Sequence, residues 1–139
     1  MTPTTPPRGI ILVVDDEDVV CRAMSRSLKY GLGGAFEIEM ARSGPEALEI
    51  LEILDREGEP LLAVVSDVVM PGMTGDELLL TIHQRWPRMV KMLVTGQADA
   101  SMVARVQQQT NLAACFGKPW DRSKLLDTLR TEIRTTWGI

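Results

Sequence analysis

Short runs of apolar residues alternate along the chain with segments in which apolar residues recur every three or four positions. The runs have the length and β-branched content of buried strands, and the periodicity between them is that of amphipathic helices. One run, Phe36–Ala41, alternates apolar with acidic residues and so suits the edge of a sheet. The predicted strands are Ile10–Val14, Phe36–Ala41, Leu61–Val65, Val90–Thr95 and Ala113–Gly117.

A helix is predicted after each strand. The first is expected from about Glu17 to Tyr30-Gly31, because glycine is favoured just past a helix end. Ser43 is expected to cap the second helix, with Glu46 completing a capping box. The other helices are expected from Gly75 to just before Pro87, from about Ala98 to Gln109, and from Asp121 through Ile133.

Alternating strands and helices predict an α/β fold, a parallel sheet with right-handed crossovers and helices on both faces. With the second strand at an edge, five such units predict the doubly wound, flavodoxin-like order 2-1-3-4-5. A fragment of a larger Rossmann-type sheet is the alternative. One domain is expected over residues 9–139, after a disordered tail over residues 1–8 that is rich in proline and threonine.

Composition argues against several classes of function. The net charge of −4 and the absence of a basic run argue against a nucleic-acid-binding surface. No apolar run approaches the ~20 residues that cross a bilayer, and the N-terminus lacks the apolar core of a signal peptide. Cys21 and Cys115 show no metal-binding spacing and are too few for a disulfide framework, so we expect a cytoplasmic protein.

Polar residues end four of the five predicted strands. Asp15 and Asp16 end the first strand, Asp67 the third, Thr95 the fourth and Lys118 the fifth. The carboxyl ends of parallel strands lie at one edge of the sheet, where open α/β sheets bind their ligands. The sequence therefore predicts that three carboxylates, a hydroxyl and an ammonium group converge there.

These groups have the chemistry of a phosphoryl-transfer site. Three carboxylates repel one another, and Mg²⁺ relieves that repulsion by taking carboxylate, water and phosphate oxygens as ligands. Lys118 is suited to be a point charge against phosphoryl oxygens, and the Thr95 hydroxyl can donate a hydrogen bond to one of them. A carboxylate nucleophile, a metal and a cation are the components that such a transfer requires.

Four segments together resemble the receiver domain of a bacterial two-component response regulator. They occur in the family's order and spacing, and the resemblance extends from about Gly9 to Ile133. The segments are LVVDDE (Leu12–Glu17), SDVVMPGMTG (Ser66–Gly75), LVTGQAD (Leu93–Asp99) and GKPW (Gly117–Trp120).

The resemblance implies roles for the acidic residues. Asp67 corresponds to the phosphoacceptor, which forms an acyl phosphate. Asp16 corresponds to a direct Mg²⁺ ligand, and Asp15 to the acid that holds a metal-bound water. The backbone carbonyl of Val69 would complete the protein ligands.

The resemblance also implies a switch. Thr95 corresponds to the hydroxyl that moves toward the phosphoryl group, and Lys118 to the family's lysine, whose bond to the following proline is expected to be cis. Cys115 departs from the pattern, because the family usually has Tyr or Phe at that position. Gly96 follows the threonine where alanine is commoner, which should loosen that loop.

The function implied is a phosphorylation-activated signalling switch, which modifies only itself and is not an enzyme acting on a separate substrate. The phosphoryl group would come from a sensor histidine kinase or a histidine phosphotransfer protein. The fourth helix, fifth strand and fifth helix would carry the signal to an output domain or a downstream protein, with homodimerisation left open. We expect no contact of this domain with nucleic acid or membrane.

Three alternatives belong to other classes. A phosphohydrolase with an aspartyl nucleophile usually has a second acid two residues later, where this chain has Val69. A nucleotide- or flavin-binding module would need a phosphate-binding loop after the first strand, where Asp15, Asp16 and Glu17 repel phosphate. The third alternative is a phosphorylation-independent interaction scaffold, which the complete acid set disfavours.

Overall fold

The structure, a computed structural model, describes residues 8–97 and 99–139, so residues 1–7 of the predicted tail lie outside the described part. Five parallel strands form one sheet: β1 (Ile10–Val14), β2 (Glu37–Ala41), β3 (Leu61–Ser66), β4 (Val90–Thr95) and β5 (Ala114–Gly117). Their order in the sheet is β2-β1-β3-β4-β5. The predicted doubly wound order is therefore confirmed.

Five helices cover both faces of this sheet. They are α1 (Asp18–Leu32), α2 (Gly44–Arg56), α3 (Gly75–Arg85), α4 (Ala100–Thr110) and α5 (Arg122–Trp137). One core lies between the sheet and α1 with α5, and the other between the sheet and α2, α3 and α4. None of the described helices has both the length and the apolar character needed to cross a membrane.

The central strands are buried on both faces, as the unbroken apolar sequences of β1 and β3 predict, and β4 is buried although Lys91 interrupts its apolar run. Each residue of β1, β3 and β4 is buried. Successive side chains of β1 enter opposite cores, so that Ile10, Leu12 and Val14 face α2 and α3 while Ile11 and Val13 face α1 and α5. This burial fixes the strands whose carboxyl ends carry the acidic residues.

The predicted end of α1 is wrong by about two residues. The helix continues through Gly31 to Leu32, and Gly33 ends it with a left-handed backbone at φ 63°. Position 31 inside the helix requires glycine, because a Cβ atom there would overlap the side chain of Leu126 on α5. Gly31 permits close packing of α1 against α5, whereas Gly33 is the glycine that ends α1.

The predicted alternation of β2 holds only in part. Ile38 is buried, but Met40 on the same face is 41% exposed. Met40 lies at the sheet edge beside α1, where it lines an open cavity of about 400 Å³. The edge position of β2 is confirmed, while burial of its whole apolar face is not.

The start of α4 also differs from the prediction, and α5 continues beyond Ile133 to Trp137. The predicted first residue of α4, Ala98, lies outside the described residues, and the described helix begins at Ala100. Asp99 caps it, its carboxylate accepting a hydrogen bond of 3.0 Å from the backbone N–H of Ser101. Only Val106 and Thr110 of α4 are fully buried, in agreement with the thin apolar face of its sequence.

Candidate functional site

Three carboxylates meet at the carboxyl edge of the sheet. Asp15 follows β1 and Asp67 follows β3, and both are buried, whereas Asp16 is exposed. One carboxylate oxygen from each residue lies within 4.8 Å of the other two. The structure thus brings together the three acids that the sequence placed at this edge.

The backbone around Asp67 is held by its neighbours. Ser66 donates its hydroxyl to the carbonyl of Asp67 at 2.8 Å, and the backbone N–H of Val68 donates to the Asp67 carboxylate at 2.7 Å. The N–H of Gly75 donates to the carbonyl of Val68 at 2.8 Å. A Cβ atom at Gly75 would overlap the Asp67 carbonyl, so only glycine lets α3 begin this close to the acid.

Asp15 is oriented by hydrogen bonds on both sides. Its backbone N–H donates to the carbonyl of Ala41 at the end of β2, at 3.1 Å. Its carboxylate accepts from the backbone N–H of Glu17 at 2.9 Å, which directs the chain from β1 into α1. Asp16 lies between Asp15 and Glu17 in the sequence, and its side chain is exposed at the surface of the cluster.

Lys118 neutralises part of this negative charge. Its ammonium nitrogen lies 2.7 Å from an Asp15 carboxylate oxygen and 3.2 Å from one of Asp67. Burial by itself lowers the pKa of Lys118, but the hydrogen bonds and charges of Asp15 and Asp67 outweigh it, so the pKa is raised above its ordinary value. The peptide bond between Lys118 and Pro119 is cis.

Thr95 ends β4 beside the same cluster. The residue is 1% exposed, and its hydroxyl oxygen accepts a hydrogen bond of 3.2 Å from the backbone N–H of Gln97. The backbone N–H of Lys118 donates to the Thr95 carbonyl at 3.0 Å, so the ends of β4 and β5 are joined next to the acids. The threonine hydroxyl keeps its own hydrogen available for donation.

An open cavity of about 320 Å³ adjoins the Asp67 carboxylate. Val69 contributes an exposed side chain to its rim, two residues beyond Asp67. The residues that line the cavity are Asp16, Glu17, Asp67, Val69, Thr95, Gly96, Gln97 and Lys118. A group of phosphoryl size therefore has access from solvent to Asp67.

The donor set fits a hard divalent cation. Three clustered carboxylates face a single ammonium group, so the cluster carries excess negative charge when all four groups are ionised. All three carboxylates offer oxygen, the ligand atom that Mg²⁺ prefers. Asp15, Asp16 and Asp67 are the side chains placed to hold such an ion, and the Val69 carbonyl is the predicted backbone ligand.

Cys115 and Phe116 point to opposite sides of β5. Cys115 packs against the core beneath α2, α3 and α4, and Phe116 against the core beneath α1 and α5. Both side chains are half-buried, and burial raises the pKa of the Cys115 thiol. Phe116 therefore does not occupy the place that an aromatic residue at position 115 would take.

Two residues that position the backbone of Asp67, Ser66 and Gly75, were not predicted as site residues from the sequence. A polar residue at the end of an otherwise apolar strand, immediately before the acid, was a signal for Ser66. Thr74-Gly75 after a Pro-Gly turn was a signal for a helix start that needs close backbone approach. The sequence alone does not specify either contact, because both depend on how β3 and α3 are arranged in the folded chain.

This chain is similar in sequence to known proteins that share one domain family. The family model described as response regulator receiver domain matches residues 11–130. The hydrogenase transcriptional regulatory protein HoxA of Cupriavidus necator is 29% identical over 91% of this chain. The sensor kinase CckA of Brucella abortus is 34% identical over 86% of this chain. The match covers 24% of HoxA and 12% of CckA, so the chain spans a quarter or less of either relative.

Solved structures agree in fold over nearly the whole chain. The signal receiver domain of an HD domain-containing protein from Pseudomonas fluorescens Pf-5 has a TM-score of 0.82 and 27% identity. The similarity covers 97% of this chain and 100% of that one. The shared fold therefore includes every strand end that contributes to the acidic cluster.

Proposed function

Because the chain belongs to the family of response regulator receiver domains, we propose that it is a signalling switch controlled by phosphorylation of Asp67. The observation that carries this proposal is the position of the Asp67 carboxylate, buried beside Lys118 and open to a cavity of about 320 Å³. A buried carboxylate with a neighbouring cation and an open approach is arranged as a nucleophile.

In the proposed reaction, an Asp67 carboxylate oxygen attacks the phosphorus of a phosphohistidine. The new oxygen–phosphorus bond forms as the phosphorus–nitrogen bond to the donor imidazole breaks, and the bonding electron pair remains on that nitrogen. Mg²⁺, when bound by Asp15, Asp16, Asp67 and the Val69 carbonyl, supplies positive charge against the phosphoryl oxygens. The product is an aspartyl phosphate and a free histidine on the donor.

Lys118 and Thr95 serve the phosphorylated state in this scheme. Lys118 donates one of its three N–H groups to Asp15 and lies in an ion pair with Asp67, so it retains a donor for a phosphoryl oxygen. The Thr95 hydroxyl accepts from Gln97 and still has its hydrogen to donate. A new hydrogen bond from Thr95 to the phosphoryl group pulls the loop that begins at Gly96.

The partners proposed follow from the family. The donor is a sensor histidine kinase or a histidine phosphotransfer protein in the cytoplasm, and the recipient of the signal is an output domain or a separate protein. Relatives of this chain include a hydrogenase transcriptional regulatory protein and a sensor kinase. Residues 9–139 act as the receiver domain in this proposal, and catalysis is limited to the domain's own phosphorylation and dephosphorylation.

Movement of α4 is the proposed readout. Cys115 has no ring that can turn inward behind Thr95, and Phe116 lies on the other face of β5. Gly96 has open space around it, and α4 is held to the core by only two fully buried residues. Weakly packed elements are those that open at low free-energy cost.

Phosphorylation by a small acyl phosphate tests the proposal. Incubation with acetyl phosphate and Mg²⁺ should add one phosphoryl group, detected by intact mass, and a chelator should prevent it. The group should be labile to hydroxylamine, as acyl phosphates are, and Asp67→Asn should abolish it. Asp55→Asn, an exposed acid on α2, is the matched control and should be modified like the wild type. Unchanged modification of Asp67→Asn would contradict the proposal.

A further inference from the structure

An ion pair joins α4 to α3 at the surface. The guanidinium of Arg105 on α4 lies 3.1 Å from a carboxylate oxygen of Asp76 in the first turn of α3. Within residues 8–97 and 99–139, no other ion pair reaches α4. The Asp76 side chain is 21% exposed and the Arg105 side chain 57%, so the pair is partly open to solvent.

Asp76, the acidic partner in this pair, lies next to a residue that contacts the backbone of Asp67, the proposed nucleophile. Asp76 follows Gly75, whose N–H donates to the Val68 carbonyl and whose missing Cβ lets the helix start touch the Asp67 carbonyl. The acid also lies at a helix N-terminus, where the helix dipole favours a negative charge. Asp76 therefore has a fixed position relative to the Asp67 backbone.

Arg105 lies on α4, the helix with the fewest fully buried residues. Val106, next to Arg105, and Thr110 are the only fully buried residues of α4, and the Thr110 hydroxyl is bonded within the helix to the Val106 carbonyl. Met102 and Val103 are only partly buried against the core. The Arg105–Asp76 ion pair therefore adds a polar contact to the apolar packing that positions α4 against α3.

We propose that the Arg105–Asp76 pair is a latch that holds α4 in its unphosphorylated position. The proposal rests on the proposed function, because it concerns how the phosphorylated state of Asp67 is resisted. A contact that stabilises the resting state lowers the affinity of the site for any ligand that favours the switched state, by the same factor. Breaking the latch should therefore tighten binding of a phosphoryl mimic at Asp67.

The sign of the effect separates a latch from simple electrostatics. Removing the positive charge of Arg105 should weaken binding of an anion at Asp67 if long-range attraction dominates, whereas a broken latch should strengthen it. Removing the negative charge of Asp76 should strengthen binding in both cases. Arg105→Gln is therefore the decisive variant, and Asp76→Asn together with the double variant shows whether both residues act through one contact.

The experiment measures the apparent affinity for beryllofluoride, a mimic of a phosphoryl group, in the presence of Mg²⁺. Arg105→Gln and Asp76→Asn should each tighten binding about two- to fivefold, the range expected for a surface ion pair, and the double variant should show no further gain. Arg85→Gln is the matched control, because Arg85 forms a 2.7 Å ion pair with Glu52 that joins α2 to α3 away from α4. It should leave the affinity unchanged.

Amide hydrogen exchange without any ligand gives a second readout. Arg105→Gln should raise exchange in α4 and leave α3 protected. Faster exchange in α4 with unchanged beryllofluoride affinity would overturn the latch, as would weaker binding by Arg105→Gln or additive effects in the double variant. Failure of the wild type to bind beryllofluoride would instead contradict the proposed function, so the two failures are distinguishable.

Discussion

The ammonium group of Lys118 donates a hydrogen bond of 2.7 Å to the carboxylate of Asp15, although the two residues are 103 positions apart in the sequence. Two strands, β3 and β4, separate β1 from β5 in the sheet, so the lysine side chain reaches across the whole acidic edge. This contact, with the one to Asp67, offsets the repulsion between buried carboxylates when no cation is bound.

Replacing Lys118 by Met should destabilise the metal-free protein by about 1–3 kcal/mol near pH 7, because two buried carboxylates lose their charged partner. The pKa of Lys118 is raised, so the pair contributes fully below the ordinary lysine pKa and is lost only as pH rises through the higher folded-state value. Urea unfolding with and without Mg²⁺ measures this. Lys124→Met, at an exposed position on α5, should have little effect, and equal stabilities of the two variants would contradict the expectation.

Mg²⁺ should raise the stability of the wild type, because it binds the folded acidic cluster and relieves repulsion there. Each tenfold excess of Mg²⁺ over its dissociation constant should add about 1.4 kcal/mol. Asp16→Asn should remove most of this gain with little effect on the metal-free protein, since Asp16 is exposed and outside the Lys118 contacts. Thermal unfolding across an Mg²⁺ titration measures both effects, and a wild-type melting curve insensitive to Mg²⁺ would count against the site.

Lys91 should make stability depend on pH in the alkaline range. The side chain is 1% exposed on β4, its ammonium donates to the carbonyls of Met89 and Pro87, and burial lowers its pKa to about 8. Between that value and the ordinary lysine pKa the unfolded chain binds more protons, so stability rises with pH. The wild type should therefore gain about 1 kcal/mol relative to Lys91→Met between pH 7 and pH 9.

Urea unfolding of the two proteins at both pH values measures this difference, and contributions from other titrating groups cancel in the comparison. A constant difference across the range would show that Lys91 keeps its ordinary pKa.

Cys115→Tyr should leave phosphorylation of Asp67 intact and change partner affinity or dimerisation only modestly, because the proposed readout is movement of α4. Backbone amide chemical shifts recorded with Mg²⁺ and beryllofluoride measure the route. The largest changes should occur in Thr95–Gln97 and α4. Changes concentrated at Cys115 and Phe116, with α4 unmoved, would contradict the proposed readout.

The sequence was sufficient to predict the sheet and the acidic edge, because both follow from local patterns. Runs rich in apolar residues specify the buried parallel strands β1, β3 and β4, and each of these runs ends at a polar residue whose position at one edge follows from the parallel order. Asp15 and Lys118 could be placed together without any knowledge of loops. The roles given to them remain predictions that the measurements described here address.

Contacts between helices could not be predicted from the sequence. Gly31 has the same local signal as a helix end, and only the close approach of the Leu126 side chain on α5 explains why a glycine stands inside the helix. Likewise, Lys91 breaks an apolar strand, and its burial depends on carbonyl groups supplied by the turn before β4. The Arg105–Asp76 pair depends on how α3 and α4 lie against each other, which no spacing in the sequence encodes.

The location of the phosphoryl group is the most direct test of the account. After reaction with acetyl phosphate and Mg²⁺, borohydride reduces an aspartyl phosphate to homoserine, which peptide mass spectrometry locates. The account predicts homoserine at position 67 in the wild type and none in Asp67→Asn. A phosphoryl group on Ser66, Thr95 or His83, with residue 67 recovered as aspartate, would contradict it.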